Sequence, residues 1–313
     1  MVNLEVYLEE FKQQYYRKIK DRISASDRKN IVDKSKKFLP PDFYSSLSVD
    51  EFEELILAPF SKLKEAKEYI DKTSLSVMEM ECFGADTSGK VDKTIRIQPF
   101  EQLYEKFRNT MNSSINKETI RVKIAQNDGK LTVCPFCNRD YINSRGKSRA
   151  GAQIDHFYPR ADYPVFSLSL YNLVPVCGNC NRIKSNQSVT FVSPWDETVD
   201  WDDVVKFSYK MKAIDTYQIV IKAKGNAANN IEKMHIREAY DIHSVEVEEL
   251  LEKQRFYSDT QNKEIRKVME KLLISDRDIK RAVFGPEITV DKVGTKSLGK
   301  MMRDLHKKMG IYV

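Results

Sequence analysis

The stretch LVPVCGNCNRIKSN, residues 173–186, decides how the middle of this chain folds. LVPV is a short apolar run, consistent with a buried strand. GNCNRIKSN then opens a helix whose first turn holds Cys180, Asn181 and Arg182. Upstream, AGAQI (150–154) reads as a second strand that ends at Asp155, next to His156. The order is strand, loop, strand, helix. Two Cys-x-x-C pairs, CPFC (134–137) and CGNC (177–180), pin the unit at both ends.

Each pair can turn two thiolates toward one ion, and two such knuckles supply the four sulfurs of a closed tetrahedral zinc site. Cys134, Cys137, Cys177 and Cys180 are therefore expected to bind structural zinc. A reducing compartment disfavours disulfides, and a redox motif needs one such pair rather than two. Cys82 stands alone and reads as a core thiol. Four thiolates leave no open coordination position, so this metal organises the fold and does no chemistry.

Four polar residues within the unit form a second constellation: Asp155, His156, Asn172 and Asn181. A strand–strand–helix unit can bring Asp155 and Asn181 together as oxygen ligands for a hard divalent ion, magnesium or manganese. His156 beside them can take a proton from water, and Asn172 on the intervening loop can fix the imidazole. These parts suffice to hydrolyse a phosphodiester bond. His235, His243 and His306 lack such company and are expected to be structural.

These residues resemble the HNH endonuclease family. Its ββα-metal fold carries an Asp-His pair, a central Asn and a final His or Asn on the helix. The resemblance covers 130–197 and matches the zinc-supported branch, with Asp155-His156, Asn172 and Asn181 in the expected order. IDHFYPRADYP, YNLVPVCGNCNRIKS and SPWDE look more narrowly like the HNH subunit of Septu-type anti-phage systems, the PtuB-like nucleases also found with some retrons. That likeness implies nucleic acid, DNA first, as substrate, and an ATPase of the ABC/SMC type as partner.

The remaining chain is consistent with this reading. Its 313 residues, 41% hydrophobic and 31% charged, describe a soluble globular protein with room for a sizeable core. No apolar run reaches the roughly 18–20 residues of a membrane helix. The start, MVNLEVYLEEFKQQ, has early acids and no apolar signal core, so a cytoplasmic location is expected. The net charge of +6 is mild, but residues 131–190 hold seven basic side chains against three acidic ones. Arg160, Arg182 and Lys184 flank the proposed centre and are candidate phosphate contacts, which would position a strand without reading its sequence.

The expected fold class is α+β: a mostly helical protein with a central zinc-stabilised ββα unit and a small hairpin. The expected divisions are a helical region at 1–129, the nuclease unit at 130–197, and a hairpin with further helices at 198–313. Leu4, Leu8, Phe11, Tyr15 and Ile19 share a helical face, and Ser48 with Glu51 makes a capping-box start. Pro59 can divide the following helix. Leu103, Phe107 and Met111 mark another stripe. VVKFSYKM (204–211) and YQIVIKAK (217–224) alternate as hairpin strands. Val268, Leu272 and Leu273 suggest a helix before the final basic one. The chief rival is a non-catalytic zinc module that binds nucleic acid or protein; a purely structural zinc protein is the third reading.

Overall fold

The computed structural model describes residues 1–46, 48–185, 187, 189–214, 216–257 and 275–312. The stripe at Val268, Leu272 and Leu273 lies outside the described residues. The fold is α+β: among the described residues, helices accompany four separate two-stranded antiparallel sheets. Most of the buried apolar side chains form one cluster that runs from the first helix to the last.

The N-terminal part contains α1 (Glu9–Lys20), α2 (Ala25–Ser35), α3 (Glu51–Leu57), α4 (Phe60–Tyr69) and α5 (Leu75–Cys82). Helix α1 has Glu9 and Glu10 in its first turn and Arg17, Lys18 and Lys20 in its last, matching the helix dipole at both ends. Its apolar stripe starts later than the spacing predicts. Leu8 is 66% exposed, and Leu4 is buried in an extended segment whose N–H reaches Pro194 O at 2.8 Å. The start of α3 also differs from expectation. Asp50, not Ser48, caps it, accepting from Phe52 N at 3.0 Å. Pro59 does separate α3 from α4, because its missing N–H suits a helix start and not an interior.

Strands β1 (Phe83–Ala85) and β2 (Val91–Arg96) form a hairpin, followed by α6 (Phe100–Met111). A tiny hairpin, β3 (Ser114–Ile115) and β4 (Glu118–Thr119), leads into α7 (Ile120–Gln126). The central unit is β5 (Gln153–His156), β6 (Leu173–Val176) and α8 (Gly178–Lys184). After the short α9 (Trp201–Val204) comes the expected hairpin, β7 (Val205–Ala213) and β8 (Thr216–Ala223). Phe207 and Ile221 pair across it and are buried, while Lys206 and Lys222 pair on its exposed face. Helices α10 (Ala227–Lys233), α11 (Ile236–Tyr240) and α12 (Ser244–Phe256) follow.

The C-terminal helix Gly299–Lys308 covers the free edge of β7, where Asp304 Oδ2 accepts from Phe207 N at 2.8 Å. That contact occupies an edge donor that could otherwise pair with another strand. Lys300 is buried with its ammonium on Asp304 at 2.6 Å and Asp202 at 3.2 Å. The segment before this helix holds the first cysteine knuckle. Asn138, in the left-handed region at φ 51°, donates to Val293 O at 2.7 Å and accepts from Lys300 N at 2.7 Å. Cys82 is buried, as expected of a core thiol, and burial pushes its pKa well up.

Candidate metal and hydrolytic centre

The four cysteines meet. The sulfurs of Cys134, Cys137, Cys177 and Cys180 all lie within 4.8 Å of one another, and all four residues are buried. Zn–S bonds of about 2.3 Å in a tetrahedron fit sulfurs at such separations. The set can hold a zinc ion. Cys177 caps α8, its sulfur accepting from Cys180 N at 3.4 Å, so the knuckle and the helix start are the same turn. Hydrogen bonding to Cys134 and Cys137, with burial, pushes the Cys177 and Cys180 thiols upward. Cys137 is drawn below the usual thiol range by its three cysteine neighbours. A divalent cation favours the thiolate at every one of these sulfurs.

Strands β5 and β6 pair with Asp155 opposite Val174 and His156 opposite Leu173. Side chains alternate along a strand, so Gln153 and Asp155 share one face and Ile154 and His156 the other. The first face looks at α8. Asn181 Nδ2 donates to Gln153 Oε1 at 2.6 Å, and Lys184 Nζ lies 2.9 Å from Asp155 Oδ2. Since Asn181 spends its Nδ2 on Gln153, its Oδ1 is left as an acceptor. Asp155 Oδ2 is buried and makes an ion pair with Lys184 but no well-angled hydrogen bond. Burial pushes the Asp155 carboxyl up, and the Lys184 charge opposes this.

Lys184 is not where a phosphate contact must be. It is 2% exposed, and its ammonium also donates to the carbonyls of His156 and Phe157, each at 3.2 Å. Helix α8 turns it inward toward the end of β5, and its donors are spent there. Arg182 is exposed and, among the described residues, bonds only its neighbour Asn179, at 3.0 Å. Arg160 is half-buried and its guanidinium sits over Tyr104, 3.9 Å from the ring centre.

On the other face, the His156 ring packs against Phe107 with centroids 4.4 Å apart. Its Nε2 lies 3.0 Å from Ser167 O. A carbonyl can only accept, so Nε2 carries the proton and Nδ1 keeps the lone pair. Burial, with Arg160 nearby, pulls the His156 pKa down to about 3, so the ring is neutral.

Asn172 acts one step away from the ring. Its Oδ1 accepts from Tyr158 N at 2.8 Å, and its Nδ2 donates to Tyr158 O and Phe166 O, both at 3.1 Å. Its carbonyl accepts from Phe157 N at 2.8 Å. The side chain thus locks the backbone after His156 to the loop that supplies Ser167. Ser167 and Phe107 are not legible as site residues. A carbonyl on a loop has no sequence signal, and Phe107 counts as one more stripe residue. Gln153, two places before Asp155 on the same strand face, did carry a signal.

The helices position this loop. Tyr15 Oη donates to Leu168 O at 2.8 Å and Ser169 Oγ to Leu55 O at 3.0 Å. Trp195 of SPWDE donates to Leu173 O at 3.0 Å. His243 is structural, taking Arg139 Nε at 3.0 Å on Nε2 and facing Glu246 at 2.9 Å through Nδ1. His306 is buried, whereas His235 is exposed. A cleft of about 930 Å³ runs beside Pro159 and Lys184 but excludes Asp155, His156 and Asn181. Its lysines Lys64, Lys67 and Lys93 carry carboxylate partners.

Asn172→Leu should cost about 3–5 kcal/mol, because it strands three backbone groups in a dry loop at about 1–3 kcal/mol each with partial relaxation. Urea unfolding of the zinc-loaded protein checks this. A loss under about 1 kcal/mol would deny the residue its locking role.

No protein family and no solved structure matches the chain. Protein ea31 of Escherichia phage lambda is 43% identical over 54 residues. That stretch is 17% of this chain and 16% of the phage protein, so the likeness is local.

Proposed function

We propose that this chain is a metal-dependent endonuclease of the HNH type that hydrolyses phosphodiester bonds, DNA being the first substrate expected. The main support is the strand–strand–helix unit closed by four cysteines, with an acid and a tautomer-fixed histidine at the end of one strand. The donor set fits a hard ion: a buried carboxylate oxygen of Asp155 and the unspent amide oxygen of Asn181. When bound there, magnesium or manganese supplies the positive charge that stabilises the phosphate and the leaving oxygen.

The chain's own residues do the rest. Asp155, next to His156 at the end of β5, and Asn181 on α8 would hold the ion. Lys184 must yield some of its hold on Asp155 and keep its bonds to the strand-end carbonyls. Ser167 O keeps the proton on Nε2 of His156, so Nδ1 accepts a proton from the attacking water. A phosphate anion beside the ring offsets burial and the Arg160 charge, raising the His156 pKa toward the range where a base works well. Asn172 keeps the backbone from drifting during this transfer. In the cell, the resemblance to Septu-type HNH subunits supports a role as the nuclease of an ATPase-coupled anti-phage system.

One observation favours a second reading. Lys184 sits at ion-pair distance from Asp155, so a chain in which it never yields is a zinc module that binds without cutting. Incubating the zinc-loaded protein with supercoiled plasmid, or with RNA, in magnesium or manganese separates the two. The nuclease nicks, and chelating the added ion stops it. A protein that cuts neither substrate, even with an ABC/SMC-type ATPase added, leaves the binding module.

A further inference from the structure

Helix α6 carries Tyr104 and Phe107 three residues apart, hence on one face. Tyr104 receives two guanidinium groups. Arg96, at the end of β2, lies 3.6 Å from the ring centre, and Arg160, just beyond β5, lies 3.9 Å from it. Arg160 is also 5.4 Å from the Phe107 centroid, and that ring touches His156. A continuous path of contacts thus joins Arg96 to the proposed base through Tyr104, Arg160 and Phe107.

Neither guanidinium has a carboxylate partner among the described residues. Arg160 makes one long hydrogen bond, Nη1 to Tyr104 O at 3.4 Å. Arg96 Nε is buried with no hydrogen-bond partner. This arrangement is costly as it stands. Stacking on an aromatic ring offsets part of the cost, but a buried donor is left unpaired, and the two charges repel. Stacking also holds both planar forks in fixed orientations, which suits bidentate contact with a phosphate. On α6 and α7, Arg108 and Arg121 likewise show no ion pair among the described residues, and burial, with the Arg108 charge, lowers the Arg121 pKa.

We propose that Arg96 and Arg160, mounted on Tyr104, form a clamp for the phosphate backbone of a nucleic-acid strand lying across His156. The clamp rests on the nuclease reading for its purpose but not for its chemistry, since binding is read without cleavage. It places the phosphate contacts partly on the helical region before residue 130, where the sequence shows only core stripes.

Fluorescence anisotropy of a fluorescein-labelled mixed-sequence DNA duplex, at several salt concentrations without divalent ions, tests this. Arg96→Gln should weaken binding about tenfold and reduce the slope of log affinity against log salt by about one. Arg96→Lys should keep the slope and lose part of the affinity. If Arg96→Gln fails to fold, Arg160→Gln is read the same way. Wild-type affinity and slope in the glutamine variant overturn the clamp, as does a wild-type protein that binds no duplex at all. Binding that depends on Arg96 in a protein that never nicks plasmid keeps the clamp and rejects the nuclease. Nicking and binding that ignore Arg96 do the reverse.

Discussion

Cys177→Ser is expected to release the zinc and melt the central unit. Its sulfur has two tasks. It is one of the four buried sulfurs that can hold the ion, and it caps α8 by accepting from Cys180 N. Serine can cap a helix but is a poor zinc ligand, so the variant separates the tasks and removes only the metal. Apparent zinc-binding free energies in small cysteine sites run to roughly 10–16 kcal/mol, and most of that is folding free energy. Loss of one ligand should therefore lower the melting temperature strongly and expose the remaining thiols to a thiol reagent. The damage should spread beyond the unit, because Asn138 ties the first knuckle to the segment before the last helix. Full zinc content with an unchanged melting curve would show that the cysteines do not act as one site.

Much of the centre was legible because local signals agreed. LVPV is β6 at the residues read; the strand expected to enter through AGAQI and end at Asp155 begins only at Gln153 and runs to His156; and Cys180 and Asn181 fall in the first turn of α8, whereas Arg182 lies in its last. Spacing alone brought the four cysteines together, since two knuckles have few other uses. The failures have tertiary causes. Leu4 and Leu8 keep the helical period, but the chain there runs extended to bond Pro194, a partner some 190 residues away. Ser48 and Asp50 are both good caps, and Asp50 captured the N–H of Phe52, the second residue of α3. Lys184 follows the pattern of an exposed basic residue, yet α8 aims it at Asp155. Arg96 and Tyr104 lie in different elements and carry no motif. Nothing in the order of residues shows that both meet Arg160.

His156→Ala is expected to have the largest effect on the proposed activity. The ring is fixed twice, by Ser167 O at Nε2 and by the face of Phe107, so its Nδ1 lone pair is presented in one direction. A general base so placed contributes about 10²–10⁴ to a hydrolytic rate. Removing it leaves the cysteine cluster intact, because His156 touches none of the four sulfurs and its own carbonyl still receives Lys184. The direct measurement is single-turnover nicking of supercoiled plasmid in magnesium or manganese, by wild type and His156→Ala side by side, with zinc content and melting temperature checked on the same samples. We expect the variant to keep its zinc and its fold and to nick at least about 100-fold more slowly. Equal rates in two folded, zinc-loaded proteins would contradict the account.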